Sequence, residues 1–265
     1  MSTLEQIIAN AKFAKNAVIE LEPKLKNKGL LWEYFHLRPT SDGITVVSNS
    51  LRYPMRGVNV GTEGLEKLLL ELDSDAVRLL AAGLLEDGER ERLGEVMERL
   101  GFQTREEAAK EAAGPRVELQ EHVQARFISG MIRGGAEYAG IRFLASELIL
   151  PDESAEQQSR FDVVGYKDGT LYLFEIRRGR ETEAYDRLSR YRAYYEAHTA
   201  DFERLLTAYP RTACQALVSL HALRCVAVMR YAANSPVNWQ EKSTAANADT
   251  WFFESSYSFR KLSAK

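Results

Sequence analysis

Several residue types that would organise a protein of this size are scarce here. Only two of 265 residues are cysteine, Cys214 and Cys225, and they form no CxxC pair. The four histidines are scattered without zinc-ligand spacing. Neither a disulfide framework nor a structural zinc site is indicated, and a reducing, cytoplasmic setting is expected. Long apolar runs are missing too. The opening "MSTLEQIIANAKFAKNAVIE" mixes charges among its apolar residues, and no stretch approaches the roughly 18 uninterrupted apolar residues of a membrane helix. A soluble protein that is not exported is the expectation. Charge of one sign is also lacking: 35 basic against 38 acidic residues leave a net charge of -3. No global positive field draws in nucleic acid, so such a partner would need a local basic patch. "RGGAEYAG" lacks phosphate-loop spacing, and no GxSxG or HExxH motif occurs.

What is present is enough apolar content, 45%, to bury a substantial core in one or two domains. Leu4, Ile7, Ile8, Ala11, Ala14 and Val18 form a helical stripe at the start. Short β-like runs, "ITVVSNS" and "RGVNV", fall between Gly29 and Gly61, broken by Pro39, Asp42-Gly43 and Pro54. Residues 63–112 return to helix, as three short segments separated by Asp-Ser-Asp and Asp-Gly punctuation. Gly114-Pro115 marks the expected boundary between a mainly helical accessory domain, 1–113, with its small β element, and a second domain, 114–265. The second domain opens with a helix, "RVELQEHVQARFISGMI", whose apolar face carries Leu119, Val123, Phe127 and Met131. Three strands, a long helix from about Glu181 to Leu206 and a strand at "CVAVMRYAA" follow, with a last β-like run in "TWFFESSYSF". That order predicts an α/β plan around one mixed sheet.

The stretch "RFDVVGYKDGTLYLFEIRRG", residues 160–179, places two acids among apolar strand residues. Asp168-Gly169 is a strong signal for a two-residue type I′ hairpin loop, because both central residues need positive φ. Lys167 then faces Thr170, Tyr166 faces Leu171, and Asp162 falls opposite Glu175. Directly opposed side chains have Cβ atoms about 4.5–5.5 Å apart, and like charges there are destabilising by roughly 0.2–1 kcal/mol. Side chains alternate along a strand, so Arg177 shares the face of Glu175, with Arg160 expected opposite it. Two readings stay open on these residues: a hard-oxygen site for a divalent ion, or a structural salt-bridge cluster at a frayed hairpin end.

These residues resemble the PD-(D/E)xK nuclease superfamily, and in particular its archaeal and bacterial members with a C-terminal domain of this kind. In that family an aspartate on the second strand and an acidic-x-lysine triplet on the third line a metal-dependent phosphodiesterase site. The resemblance, which spans about residues 116–235, assigns Asp162 and Glu175 as ligands of Mg²⁺ or Mn²⁺ and puts Arg177 where the family has lysine. It implies a restriction-endonuclease-like αβββαβ core and a nucleic-acid substrate, DNA foremost; homodimers, common in this fold, enter by analogy. Members often carry a glutamate on the preceding helix, for which Glu118 and Glu121 are candidates with Glu118 favoured, and Glu147 a third. A Gln-x-x-x-Tyr pattern on the following helix is matched here by Arg187 and Tyr191, with arginine replacing glutamine.

Arg177, Arg178, Arg180, Arg187, Arg190 and Arg192, interleaved with Tyr185, Tyr191, Tyr194 and Tyr195, offer phosphate-neutralising and stacking groups for a nucleic-acid strand. Leu188, Tyr191 and Tyr195 form a core-type helical stripe; Arg187, Arg190 and Tyr194 form the neighbouring stripe better placed for a ligand. A solvated helix with intrahelical ion pairs is the plain alternative. Arginine stays protonated at ordinary pH, so Arg177 can clamp a phosphate but cannot act as a general base. A catalytically inactive nuclease-fold module that binds nucleic acid or a partner protein is therefore the competing expectation.

Overall fold

The computed structural model describes residues 3–82, 85–104, 106–107, 120–150, 159–178, 182–210, 220–231, 237–254 and 259–261. The chain forms two compact units, Met1–Ser129 and Gly130–Lys265. Residues 108–119, where the sequence places its domain boundary, lie outside the described residues.

In the first unit, α1 (Thr3–Leu21) buries Ile7, Ile8, Ala11, Ala14 and Val18, the stripe expected from spacing. α2 (Lys28–Tyr34) leads into a three-stranded antiparallel sheet of β1 (Phe35–Thr40), β2 (Gly43–Ser48) and β3 (Gly57–Val60). β1 does not stand out in the sequence because Pro39 interrupts it; as an edge strand it tolerates a residue without an N–H. On it, His36 is buried, and its Nδ1 donates to Asn49 Oδ1 at 2.6 Å. Burial, and secondarily Arg38, hold the His36 pKa down at about 3, so the ring is neutral.

The Asp-Ser-Asp punctuation does not break the next helix. α3 (Leu65–Glu71) passes through a π-helical stretch, Leu72–Ala76, into α4 (Val77–Ala81). Asp73, expected to end it, is buried and spends its carboxylate elsewhere: Oδ2 and Oδ1 accept the backbone N–H groups of Lys26 and Asn27, each at 2.7 Å. α5 (Asp87–Arg99) and α6 (Gln120–Arg133) follow. Val123, Phe127 and Met131 are buried on α6 as expected.

The second unit holds a six-stranded mixed sheet in the order β4-β5-β6-β7-β8-β9. Its strands are β4 (Arg142–Leu150), β5 (Ser159–Lys167), β6 (Thr170–Ile176), β7 (Ala222–Arg230), β8 (Asp249–Phe253) and β9 (Phe259–Lys261). The first three form an antiparallel meander. The long helix α7 (Glu183–Ala208) carries the chain back so that β7 lies parallel to β6. α8 (Trp239–Ala245), a short helix the sequence reading lacks, precedes β8, which is parallel to β7, and β9 closes the edge antiparallel. Residues 211–219, read as helix from sequence, lie outside the described residues. Among the described residues no helix is long and apolar enough to cross a membrane.

Candidate active site

The hairpin that positions the acids is set by its turn. Asp168 and Gly169 have φ of 46° and 79°, and the register runs Lys167↔Thr170, Tyr166↔Leu171 and on to Val163↔Phe174. One further step places Asp162 opposite Glu175, as the loop arithmetic requires. Both are buried, at 3% and 0% exposure.

The two strands part at this step. In a continued ladder the Ile176 N–H would meet the Phe161 carbonyl; instead it donates to Asp162 Oδ2 at 3.0 Å. The Tyr191 hydroxyl, from α7, reaches into the same opening toward the Arg160 carbonyl and toward Glu175 Oε2, 2.9 Å away. A phenol has one proton, so it donates to one of these acceptors at a time. Side chains thus replace backbone partners where the acids sit.

Charge balance falls on one side of the pair. Glu175 Oε1 receives Arg177 Nη2 at 2.5 Å and Arg187 Nη1 at 2.7 Å. Burial works against the Arg187 charge, but the hydrogen bond and the charge of Glu175 outweigh it, and its pKa is raised. Asp162 is the penalised partner. Burial first, and then the Glu175 charge, push its pKa up to about 7 against the pull of the Ile176 N–H and the two arginines. Tyr191 is likewise raised, by burial and then by the two carboxylates, and stays protonated at any ordinary pH.

The remaining candidates are placed as follows. Arg160 does not face Arg177 but pairs with Glu147 on β4, because the strands have diverged before reaching that rung. Glu147 itself has φ of 47°, in the left-handed region that a strand residue rarely adopts. Arg178 and Arg190 are exposed. Arg187 and Tyr191 engage Glu175, and Tyr191 is buried, which leaves its ring packed 4.5 Å from that of Phe161. Leu188, Tyr191 and Tyr195 are core, as their stripe implies, but Tyr194 is buried too, packed on His198 at 4.4 Å, and does not share the exposure of Arg190. Glu118 and Arg180 lie outside the described residues.

Comparison with protein-family models, curated proteins and solved structures gives no match. The donor chemistry itself fits a hard divalent cation. Two carboxylates converge in a buried position, the oxygen set that Mg²⁺ and Mn²⁺ select, and Asp162 is destabilised as an anion unless positive charge is added beside it. Among the described residues no group of three or more His, Cys, Asp or Glu side chains is arranged to hold a metal.

Proposed function

We propose that the second unit is a metal-dependent nuclease of the PD-(D/E)xK kind, hydrolysing phosphodiester bonds of nucleic acid, with DNA the expected substrate. The observation that carries this reading is the buried Asp162–Glu175 pair at the point where β5 and β6 part. An antiparallel meander, a crossover helix and a parallel strand, in that order, agree with the αβββαβ core, and α7 delivers Arg187 and Tyr191 to Glu175 at the two positions of the helix motif.

Asp162 and Glu175 would hold Mg²⁺ or Mn²⁺, which when bound supplies Lewis-acid stabilisation of phosphate oxygens and lowers the pKa of a nucleophilic water. Arg177 and Arg187 are the groups that meet the phosphodiester. Both are partly exposed, at 17% and 34%, and both already lie on an anionic oxygen, so a substrate phosphate offers a second acceptor to the same planar donors. Neither takes up a proton.

A second reading is favoured by the engagement of both Glu175 oxygens and by arginine at the lysine position: an inactive nuclease-fold module that binds nucleic acid or a partner protein. Cleavage of labelled single- and double-stranded DNA and RNA with Mg²⁺, Mn²⁺ or EDTA separates the two. The nuclease reading expects metal-dependent cutting that is lost in Asp162→Asn and Glu175→Gln, which keep the size and a hydrogen-bonding oxygen of each side chain. Binding without cutting by the wild type, together with no heat of Mg²⁺ binding in calorimetry, selects the module.

A further inference from the structure

Beyond the acid pair, the same face of the sheet carries an aromatic and cationic cluster three strands across. The register links Glu175↔Ala227 and Ala227↔Thr250, then, two residues further along, Met229↔Phe252 and Phe252↔Arg260. Since side chains alternate, Glu175, Thr250, Phe252 and Arg260 share one face. α7 bears this out, for its Tyr185 meets Thr250 at 2.6 Å while its Tyr191 meets Glu175. Tyr231, two residues beyond Met229, belongs to that face as well. The parallel strands β6, β7 and β8 all end at this edge.

Tyr231 is 41% exposed, an uncommon position for a ring seated at the end of a buried strand. It is also rigidly held. Its N–H donates to the Phe253 carbonyl at 2.8 Å, and its ring meets Phe252 edge-on at 5.7 Å, itself buttressed by Trp239 at 5.9 Å. The Arg260 guanidinium lies over the Tyr231 ring, 3.9 Å from its centre. Among the described residues Glu254 faces this cluster, 3.4 Å from Arg260 in an exposed pair, which screens that guanidinium only weakly.

We propose that Tyr231 and Arg260 form a stacking platform for an unpaired base, so that the protein takes a single strand, or the single-stranded part of a junction or flap, on the face of the sheet that carries Glu175. A duplex keeps its bases stacked on one another and has none to offer such a ring, whereas every unpaired base presents a π-face to Tyr231 and its phosphate to Arg260. This rests on reading the acid pair as a nucleic-acid site, and it adds the substrate class.

The test uses the whole chain, a fluorescein-labelled oligothymidylate and a labelled duplex, with anisotropy in EDTA and cleavage in Mg²⁺, and circular dichroism to establish that each variant folds. Tyr231→Ala should weaken oligothymidylate binding by roughly 5- to 150-fold, the range of one lost base–aromatic stack, and Arg260→Ala should weaken it as well. Tyr231→Trp should restore the affinity, and duplex binding should stay put in both Tyr231 variants. Equal oligothymidylate affinity for wild type and Tyr231→Ala overturns the platform, as does absence of single-strand binding by the wild type. Cleavage by a wild type whose binding ignores Tyr231 sinks the platform and leaves the nuclease standing; Tyr231-dependent binding with no cleavage does the reverse.

Discussion

At Asp162, local conflict is written into a single pKa. The folded protein holds this proton more tightly than the unfolded chain does, since the pKa moves from 3.8 to about 7. Its contribution is therefore neutral below the ordinary aspartate range and becomes progressively unfavourable as pH rises to about 7, above which the penalty is constant. Asp162→Asn keeps an oxygen for the Ile176 N–H and removes the charge. Urea denaturation should find the variant equal to wild type near pH 4 and more stable at pH 8, by at most about 4 kcal/mol, three pKa units at roughly 1.4 kcal/mol each. A variant that is less stable at pH 8 would mean that the cluster depends on the Asp162 charge as a salt bridge. Mg²⁺ and the proton compete for the same carboxylate, so the rise in Tm on adding Mg²⁺ should be larger at pH 8 than at pH 5.5, and a pH-independent rise would count against Asp162 as a ligand. Tyr191→Phe removes the donor to the fully buried Glu175 Oε2 and should lower stability by about 1–3 kcal/mol in the same denaturation experiment.

Among the elements, legibility tracked how local the causes are. The β5–β6 hairpin was readable because its turn chemistry lies within two residues, and that alone brought Asp162 and Glu175 face to face. Gly169 shows how much rests on it: a Cβ there would stand 2.7 Å from His221 Cδ2 at a φ of 79°. Gly169→Ala should destabilise by about 1–2 kcal/mol in equilibrium unfolding, through positive-φ strain of that size. The run through Asp73 was unreadable because the partners of its carboxylate are backbone groups 46 and 47 residues away. An acid that reads as a helix stop in isolation becomes neutral to the helix once those N–H groups consume it. The stripe of Arg187, Arg190 and Tyr194 is not one exposed face, for a related reason. Helical spacing gives the direction of a side chain but not what stands there, and Tyr194 meets Phe161 and Phe202. Tyr231 and Arg260 carry no sequence signal at all, since 29 residues separate them and only the β7-β8-β9 order joins them.

For the whole molecule, a net charge of -3 means that attraction to a polyanion comes only from local arginines. Strand binding should therefore fall steeply with salt while the protein as a whole stays acidic. Arg178→Ala and Arg190→Ala, at exposed positions, should each reduce the slope of log affinity against log salt by about one without altering the fold. An unchanged slope in both would place the strand elsewhere on the surface. The α/β layout with a mixed sheet was legible from element order, whereas the parting of β5 and β6 was not, because it depends on α7 supplying Tyr191 to the gap. That parting also decides how a substrate complex is to be captured. Asp162 serves at once as an anion and as a rung of the sheet, so alanine there would loosen the architecture along with the chemistry. Asparagine separates the two roles, and on the nuclease reading Asp162→Asn is accordingly the form expected to hold an uncut strand for crystallography on an intact fold.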